Sequence, residues 1–328
     1  MGFVRGHAAH RPALSSAAPG ALVPGDSGAA AESARQSRGG SVTHHGSHRL
    51  AVLGAGVMGT NIATTAIGHG VPVVLVDVDD ATLERARTAI DRQVRHGQLL
   101  GALPRGAARG GLTTTTAIGG VSGCSAVIEA VTESPEVKRA VLGEASAAVA
   151  PGTPVVSNTS GIPIGEMAGW VSRGEELVGA HFMNPTYLIR TVEVVRGPRT
   201  SDRTLAAAVD VLAALEREAI VVRDSPGFVT SRLLHPMINA ASRLVGQGVA
   251  DAESVDALMQ NCLGHPAGPL RTADLIGIDN LVDSLTVLHR RTGDEGCRPS
   301  EVLLAKVRAG ELGRKSGRGF YDYGKALS

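Results

Sequence analysis

A histidine and a glutamate stand out in the segment GAHFMNPTYLIRTVEVVRG, which covers residues 179–197. His181 follows a short apolar run, and Glu193 interrupts a run of β-branched residues that is otherwise typical of a buried strand. A neutral imidazole can take up a proton near physiological pH, and a carboxylate on its other nitrogen fixes the tautomer. Because a buried carboxylate needs a partner, we predict that neighbouring strands bring the two together for acid/base chemistry. Taken alone, His181 is better interpreted as a structural histidine, so its neighbours decide.

A glycine turn near the start of the chain predicts a dinucleotide site. The segment RLAVLGAGVMGTNIATTAIGHGVPVVLVDVDD, from Arg49, indicates a strand, a turn, a helix and a second strand. In this motif the first glycine permits the tight turn, the second lets the backbone approach a pyrophosphate, and the third allows close packing of helix on strand. The free N–H groups of the helix N-terminus favour phosphate. The residues expected to contact the dinucleotide here are Gly54, Gly56, Val57, Met58 and Gly59.

The end of the second strand indicates which dinucleotide is bound. Asp77 lies 18 residues after Gly59, where an acceptor for a ribose 2′-hydroxyl is expected. The residues that follow are Val78, Asp79 and Asp80, and no arginine is present to take a 2′-phosphate. The sequence therefore predicts NAD rather than NADP.

The order of the elements predicts an α/β fold with a doubly wound, mostly parallel, Rossmann-like sheet and a smaller all-helical C-terminal domain. Apolar strands alternate with amphipathic helices up to about residue 224, which is typical of a parallel sheet covered on both faces. Helical periodicity then takes over. We predict a disordered tail at 1–48, which is rich in Ala, Gly, Ser and Pro, an NAD-binding domain at 49–224, and a helical substrate and dimerisation domain at 225–328.

The first helix of the C-terminal domain predicts an interface between subunits. Its apolar residues recur at helical spacing along one face: Val229, Leu233, Met237, Ala241 and Leu244. Because one subunit does not offer enough surface to cover these faces, we expect a homodimer. Pro236 should kink this helix.

Composition argues against several other classes of function. A formal net charge of +1 and 2 % aromatic residues argue against a nucleic-acid partner. No apolar run approaches the ~18 residues needed to cross a bilayer. The three cysteines are far apart in the sequence, which argues against a disulfide framework and favours a cytoplasmic location.

The ordered region resembles the short-chain L-3-hydroxyacyl-CoA dehydrogenase family, including its bacterial 3-hydroxybutyryl-CoA members. The segments that carry the resemblance follow one another in the family's order between residues 50 and 323. They are GAGVMG, EAVTESPEVK, SNTSGIPI, GAHFMNP, VEVV, DSPGFVTSR, GPLRTADLIGID and GRKSGRGFY. The resemblance implies hydride transfer between C3 of a 3-hydroxyacyl thioester and NAD. It implies no metal site, because the dinucleotide carries the redox chemistry.

The resemblance also implies a role for individual residues. His181 would be the catalytic acid/base, Glu193 its orienting partner, and Ser160 a contact to the reacting oxygen. Glu133, Lys138 and Asn184 would line the nicotinamide end, and Lys315 would close over the cofactor. Without the resemblance each has a simpler interpretation. Ser160 and Asn184 are then turn residues, and Lys138 and Lys315 are solvated charges.

Two departures from the family pattern concern the substrate. Ser231 stands where the family has an asparagine that contacts the substrate, so its reach toward the substrate differs. Gln93 and Leu100 stand where the family has a Ser and a Lys that bind the CoA nucleotide, and a leucine binds no phosphate. Loss of this anchor favours an acyl group tethered to an acyl carrier protein, as in the supply of extender units for polyketides.

Three hypotheses for function follow. The first, and the family default, is a 3-hydroxyacyl-CoA dehydrogenase of fatty acid metabolism, and the second is a dehydrogenase of carrier-bound 3-hydroxyacyl groups. The third is an NAD-binding protein that has kept the fold without activity. Loss of the histidine or the glutamate would favour the third, and both residues are present at 181 and 193.

Overall fold

The computed structural model describes residues 48–324, and these are organised around one eight-stranded sheet. The predicted tail at 1–48 lies outside the described residues except for its last residue. The strands are β1 (Leu50–Leu53), β2 (Val73–Val76), β3 (Leu112–Thr115), β4 (Ala126–Glu129), β5 (Val155–Ser157), β6 (Leu177–His181), β7 (Thr191–Arg196) and β8 (Glu218–Arg223). They lie in the order β3-β2-β1-β4-β5-β6-β7-β8.

Every neighbouring pair in the sheet is parallel except β6 and β7. These two run antiparallel, with Gly179 opposite Val195 and His181 opposite Glu193. Side chains that lie directly opposite one another in an antiparallel pair point to the same face and are within contact distance. The reversal at β7 therefore sets the geometry of the histidine–glutamate pair.

Helices cover both faces of the sheet, as predicted for a doubly wound fold. The helices of this region are α1 (Val57–Gly68), α2 (Asp80–Leu99), α3 (Pro135–Ala148), α4 (Ile164–Met167) and α5 (Asp202–Ala214). Helices α1, α2 and α5 pack into one core with the sheet, through residues such as Ile62, Ile90 and Leu212. On the other face α3 and α4 contribute Leu142 and Met167. The inner strands are thus buried on both faces, which explains their nearly continuous apolar sequences, whereas the edge strands β3 and β8 are partly exposed.

The strand β4 is shorter than the run of apolar residues suggests. The sequence predicts a strand through residue 131, but β4 ends at Glu129. The backbone N–H of Val131 donates to Glu129 Oε1 at 2.8 Å. The side chain of Glu129 thus takes a donor that would otherwise have bonded a neighbouring strand, and the chain turns away.

After residue 224 the described chain contains no strand of the main sheet, which confirms the predicted change to a helical region. Its helices are α6 (Thr230–Gly246), α7 (Ala252–Leu263), α8 (Pro269–Ile276), α9 (Ile278–Thr292) and α10 (Glu301–Arg308). Ile238 of α6, Leu281 and Leu285 of α9 and Leu303 of α10 share a buried core. None of the helices among residues 48–324 is long and apolar enough to cross a membrane.

The apolar face predicted on α6 mostly points outward. Val229 is 47 % exposed, Leu233 69 % and Leu244 41 %, whereas Ala241 is buried. The face that α6 turns inward carries polar side chains instead. These are Ser231, His235, Asn239 and Ser242, with Ile238 and Ala241 between them.

Candidate active site

The glycine turn between β1 and α1 has the geometry that a dinucleotide requires. Gly54 has a φ of 95°, a left-handed conformation that favours glycine. A Cβ on Gly59 would overlap the carbonyl oxygen of Gly54, so a side chain there would push α1 away from the turn. By contrast, a Cβ on Gly56 would meet no atom within 4 Å. The space over Gly56 is open to a ligand.

The N-terminus of α1 faces this open space with free hydrogen-bond donors. No side chain caps the helix at Gly56, and its first turn contains no acidic residue. Val57 is 67 % exposed and Met58 is half-buried. Uncapped N–H groups and the positive end of the helix dipole favour a phosphate group. The residues therefore fit the pyrophosphate of a dinucleotide.

Asp77 lies beside the same turn, at the end of β2. Its Oδ2 accepts a hydrogen bond from the backbone N–H of Ala55 at 2.7 Å. The carboxylate is half-buried, and this bond holds it against the turn. The structure thus brings Asp77 and the three glycines together, as the sequence predicts for a ribose acceptor.

His181 and Glu193 contact each other directly. His181 Nδ1 lies 3.1 Å from Glu193 Oε2, and both side chains are buried. Phe228 packs edge-on against the imidazole, with the ring centroids 5.9 Å apart. With Nδ1 engaged by the carboxylate, Nε2 is the ring nitrogen that remains to exchange a proton with a substrate.

Glu193 is also bonded to the N-terminal end of α6. Its Oε1 accepts from the backbone N–H of Val229 at 2.7 Å and of Thr230 at 3.3 Å, and the Thr230 hydroxyl donates to Oε2 at 2.7 Å. Burial by itself would raise the pKa of Glu193, but the hydrogen bonds from His181, Thr230 and Val229 outweigh it and hold the pKa below its usual value. The carboxylate therefore stays ionised beside the imidazole.

Thr230 is a site residue that the sequence reasoning missed. Its hydroxyl lies 3.2 Å from His181 Nδ1 as well as bonding Glu193. The hydroxyl therefore contacts both members of the pair. Thr230 lies within the quoted segment DSPGFVTSR, two residues after Phe228, and that position alone predicts no contact.

Glu133 positions the loop that carries Ser160, after β5. Glu133 Oε1 accepts from the Thr159 hydroxyl and from the backbone N–H groups of Ser160 at 3.1 Å and Gly161 at 3.2 Å. Ser160 itself is half-buried. The loop is tied to the His181 strand as well, because Asn158 Oδ1 accepts from the backbone N–H of Phe182 at 3.0 Å.

Lys138 is buried, in contrast to the solvated charge that its place on a helix suggests. Its Nζ lies 2.6 Å from Glu129 Oε1 and 3.1 Å from Glu133 Oε2. The side chains of Lys138 and Glu129 are 1 % and 0 % exposed, so each depends on the other for compensation of its charge. Ser157 donates to the second oxygen of Glu129 at 2.6 Å.

Glu129 is the second residue that the sequence reasoning missed. The signal was present, because an acidic residue interrupts the apolar run SAVIEAV in the same way that Glu193 interrupts TVEVV. Glu129, Lys138 and Glu133 form a chain of contacts from β4 to the Ser160 loop.

Two predicted site residues stand apart from these contacts. Asn184 is exposed in the connection between β6 and β7. Lys315 Nζ pairs with Asp279 Oδ2 at 2.6 Å, at the start of α9. This ion pair lies within the helical region, and in the described part of the chain Lys315 forms no hydrogen bond or ion pair with residues 49–224. The cofactor roles of both residues stay predictions.

Comparison with known proteins places this arrangement in a family. The family model for the 3-hydroxyacyl-CoA dehydrogenase NAD binding domain matches residues 49–225, and that for the 3-hydroxyacyl-CoA dehydrogenase C-terminal domain matches residues 227–323. The chain belongs to the 3-hydroxyacyl-CoA dehydrogenase family. As a member of this family it is an NAD-dependent oxidoreductase that acts on a CH–OH group. The predicted family, fold class, enzyme class and cofactor are thereby confirmed.

Individual relatives align over nearly their whole length. A probable 3-hydroxybutyryl-CoA dehydrogenase of Deinococcus radiodurans is 38 % identical over 84 % of this chain and 100 % of its own. The 3-hydroxybutyryl-CoA dehydrogenase of Bradyrhizobium diazoefficiens is 38 % identical over 84 % of this chain and 95 % of its own. The crystal structure of (S)-3-hydroxybutyryl-CoA dehydrogenase from Ralstonia eutropha is 34 % identical, with a TM-score of 0.76, over 84 % of this chain and 99 % of that one.

The buried ion pair of Lys138 predicts a large effect on stability. In Lys138→Met, Glu129 loses its buried partner, so the free energy of unfolding should fall by about 3–5 kcal/mol. Lys315→Met is the matched control. The side chains of Lys315 and Asp279 are 45 % and 32 % exposed. Loss of this ion pair should lower the free energy of unfolding by less than about 1 kcal/mol. Urea unfolding of both variants measures their free energies of unfolding. Equal decreases in the two variants would contradict a stabilising role for the buried ion pair.

The hydrogen bond from Thr230 predicts a pH-dependent stability. The folded pKa of Glu193 lies below its usual 4.5, so its contribution is complete above that value and is lost as the pH falls through the folded pKa. Thr230→Val removes a hydrogen bond to this charge and should lower the free energy of unfolding by about 1.5–3 kcal/mol at pH 7. In urea unfolding experiments at a series of pH values, the difference in free energy of unfolding between the variant and the parent chain should shrink as the pH is lowered below 4.5.

Thr230→Ser keeps the hydroxyl and is the control for this experiment. It should follow the parent chain across the pH range. If Thr230→Val lowers the free energy of unfolding by the same amount at every pH, the substitution acts through packing rather than through the Glu193 charge.

Proposed function

We propose that this chain oxidises the C3 hydroxyl of 3-hydroxyacyl thioesters, with His181 as the acid/base. The observation that carries the proposal is the buried contact between His181, at the carboxyl end of β6, and Glu193, within the neighbouring strand β7. Ligands in such sheets bind beyond the carboxyl ends of the parallel strands, where β6 ends at His181. The relatives named 3-hydroxybutyryl-CoA dehydrogenase support this class of substrate.

The proposed chemistry assigns each group one task. Bound NAD supplies the acceptor for the hydride that leaves C3. Nε2 of His181 takes the proton of the C3 hydroxyl as the ketone forms, and the Glu193 carboxylate stabilises the resulting imidazolium through Nδ1. Ser160 donates a hydrogen bond to the reacting oxygen, and Glu133 holds the Ser160 loop in place.

We also propose a division of labour along the chain. Residues 49–224 bind NAD, with Asp77 on the ribose and with Glu133, Lys138 and Asn184 at the nicotinamide end. Residues 225–328 complete the substrate site, with Ser231 as a substrate contact and Lys315 closing over the cofactor. Support for this division comes from Thr230 of α6, which contacts both His181 and Glu193.

A carrier protein as the holder of the acyl group is the second candidate. Gln93, at the family's CoA-anchoring position, has its Oε1 engaged by the hydroxyl of buried Thr64 at 2.8 Å. Leu100, at the other anchoring position, is 56 % exposed. Neither residue offers a charge to a nucleotide phosphate. Arg92 and Arg95 are exposed nearby and are the only replacements on this stretch of α2.

One kinetic experiment tests both proposals. NADH formation is measured with the (S)-3-hydroxybutyryl group held on CoA and on an acyl carrier protein. His181→Gln should lower kcat/KM by about 10²–10⁴-fold, because it removes the proton acceptor. NADH affinity, measured by fluorescence titration, should be unchanged. His289→Gln, a half-buried histidine of α9 bonded to the carbonyl of Asp294, is the matched control and should keep the parent rate.

The outcomes separate the proposals. Parent turnover in His181→Gln would overturn the acid/base assignment. If the carrier-bound group reacts with a higher kcat/KM than the CoA ester, the carrier proposal stands. Equal or faster turnover of the CoA ester would remove it.

We propose further that two chains pair through the exposed apolar face of α6. Leu233 and Leu244 are both exposed and lie three helical turns apart on the same side of α6, and Leu258 of α7 is 58 % exposed. A second copy of the chain would remove these residues from water. Sedimentation should give the mass of two chains, and Leu233→Glu combined with Leu244→Glu should give one. Leu99→Glu, at an equally exposed leucine of α2, is the control and should leave the dimer intact. If the parent chain itself sediments with the mass of one chain, the pairing is refuted.

A further inference from the structure

The inward face of α6 carries a row of polar side chains, Ser231, His235, Asn239 and Ser242, which we call the polar stripe. The two halves of this stripe differ in their hydrogen-bond partners. Its deeper members are satisfied by the protein itself. Asn239 donates to the carbonyls of Gly296 and Arg298 at 2.8 and 2.7 Å and accepts from the N–H of Ser300, while the hydroxyls of Ser242 and Ser300 lie 2.7 Å apart. These contacts join α6 to the loop before α10. They account for the deeper half of the stripe as structural.

The two members nearest the site are different. His235 is 7 % exposed, and its Nδ1 lies 2.7 Å from the hydroxyl of Ser284 on α9. No residue in the described part of the chain bonds Nε2 of His235 or the hydroxyl of Ser231. Neither atom is sealed inside the protein, so each keeps surface at which a polar group of a ligand can replace water.

The imidazole of His235 is neutral. Burial, with a smaller contribution from the neighbouring His181, lowers the pKa of His235 from 6.5 to about 4. A neutral imidazole has one donor and one acceptor nitrogen. With Nδ1 engaged by Ser284, Nε2 offers a single hydrogen bond to an uncharged polar group.

The position of these residues connects them to the proposed site. Ser231 follows Thr230, which contacts His181, and His235 lies one helical turn further along the same face of α6. On α9, Ser284 and Val287 share a face, and Val287 lies opposite Gly161, next to Ser160 in the loop held by Glu133. The pair formed by His235 and Ser284 therefore lies on the side of the helical region that meets the proposed site.

We infer that Ser231, His235 and Ser284 form a subsite for a second oxygen on the acyl group, and this inference rests on the proposed function. The preferred substrates are 3-hydroxyacyl thioesters with a further hydroxyl on C2 or C4. A plain alkyl chain in contact with these groups would leave them unpaired, whereas a hydroxyl both accepts from and donates to them. Sites built to bond a substrate hydroxyl discriminate strongly against the analogue that lacks it.

The test compares three acyl groups on the thioester carrier that gives the higher rate. They are 3-hydroxybutyryl, 2,3-dihydroxybutyryl and 3,4-dihydroxybutyryl, and kcat/KM is measured from NADH formation. The parent chain should prefer one dihydroxy substrate by about 10-fold or more. His235→Met, which keeps the volume and removes the polar nitrogens, should abolish that preference and keep or raise the rate on 3-hydroxybutyryl. Ser284→Ala should reduce the preference in the same direction, and His289→Gln should leave it unchanged.

Each outcome bears on one of the two claims. NADH from all three substrates at equal kcat/KM, or a preference for 3-hydroxybutyryl, would overturn the subsite while the proposed function stands. A His235→Met variant that lowers all three rates by the same factor would also overturn it. No NADH from any thioester would overturn the proposed function and the subsite with it. The preference of the parent chain requires no variant, so the test remains decisive if His235→Met does not fold.

Discussion

The buried carboxylate of Glu193 is the interaction on which the site depends. It lies in the centre of a strand, where an ionised group is unstable without several partners. The structure supplies an imidazole from β6, a hydroxyl from Thr230 and two backbone N–H groups at the start of α6. Because a helix N-terminus favours negative charge, the same contacts that satisfy Glu193 also dock α6 against the sheet. The position of the helical region and the orientation of His181 are therefore fixed by one group.

The buried charge of Lys138 likewise fixes the position of the loop that carries Ser160. Lys138 links Glu129, inside β4, to Glu133, which holds the Ser160 loop through backbone N–H groups. Glu129 and Glu193 are both acidic residues within apolar strands, and each fixes a loop or helix that carries proposed substrate contacts. Both pairs are too buried for water to compensate the charge, so removing one partner affects more than one element.

Much of the fold could be predicted from the sequence, because it depends on local patterns. The glycine turn, the helix α1 and the strand ending at Asp77 follow from backbone sterics and from apolar runs of strand length. The change to helices after residue 224 follows from the change in period. The inward face of α6 did not follow. The sequence analysis predicted that the apolar residues of this helix form a subunit interface, but it did not predict that the opposite face buries His235 and Asn239. Hydrogen-bond partners on α9 and in the loop before α10 receive these two side chains.

The sequence by itself determined the family, the dinucleotide and the identity of the central histidine and glutamate, since these reside in short segments whose residue types carry the information. The tertiary structure decided which side chains meet. The antiparallel register of β6 and β7 placed Glu193 opposite His181, and the docking of α6 brought Thr230 to both. The folding of α3 over β4 buried Lys138 against Glu129. These contacts join residues that are far apart in the chain, and their energies depend on burial and on distances of about 3 Å, which no local pattern of residues encodes.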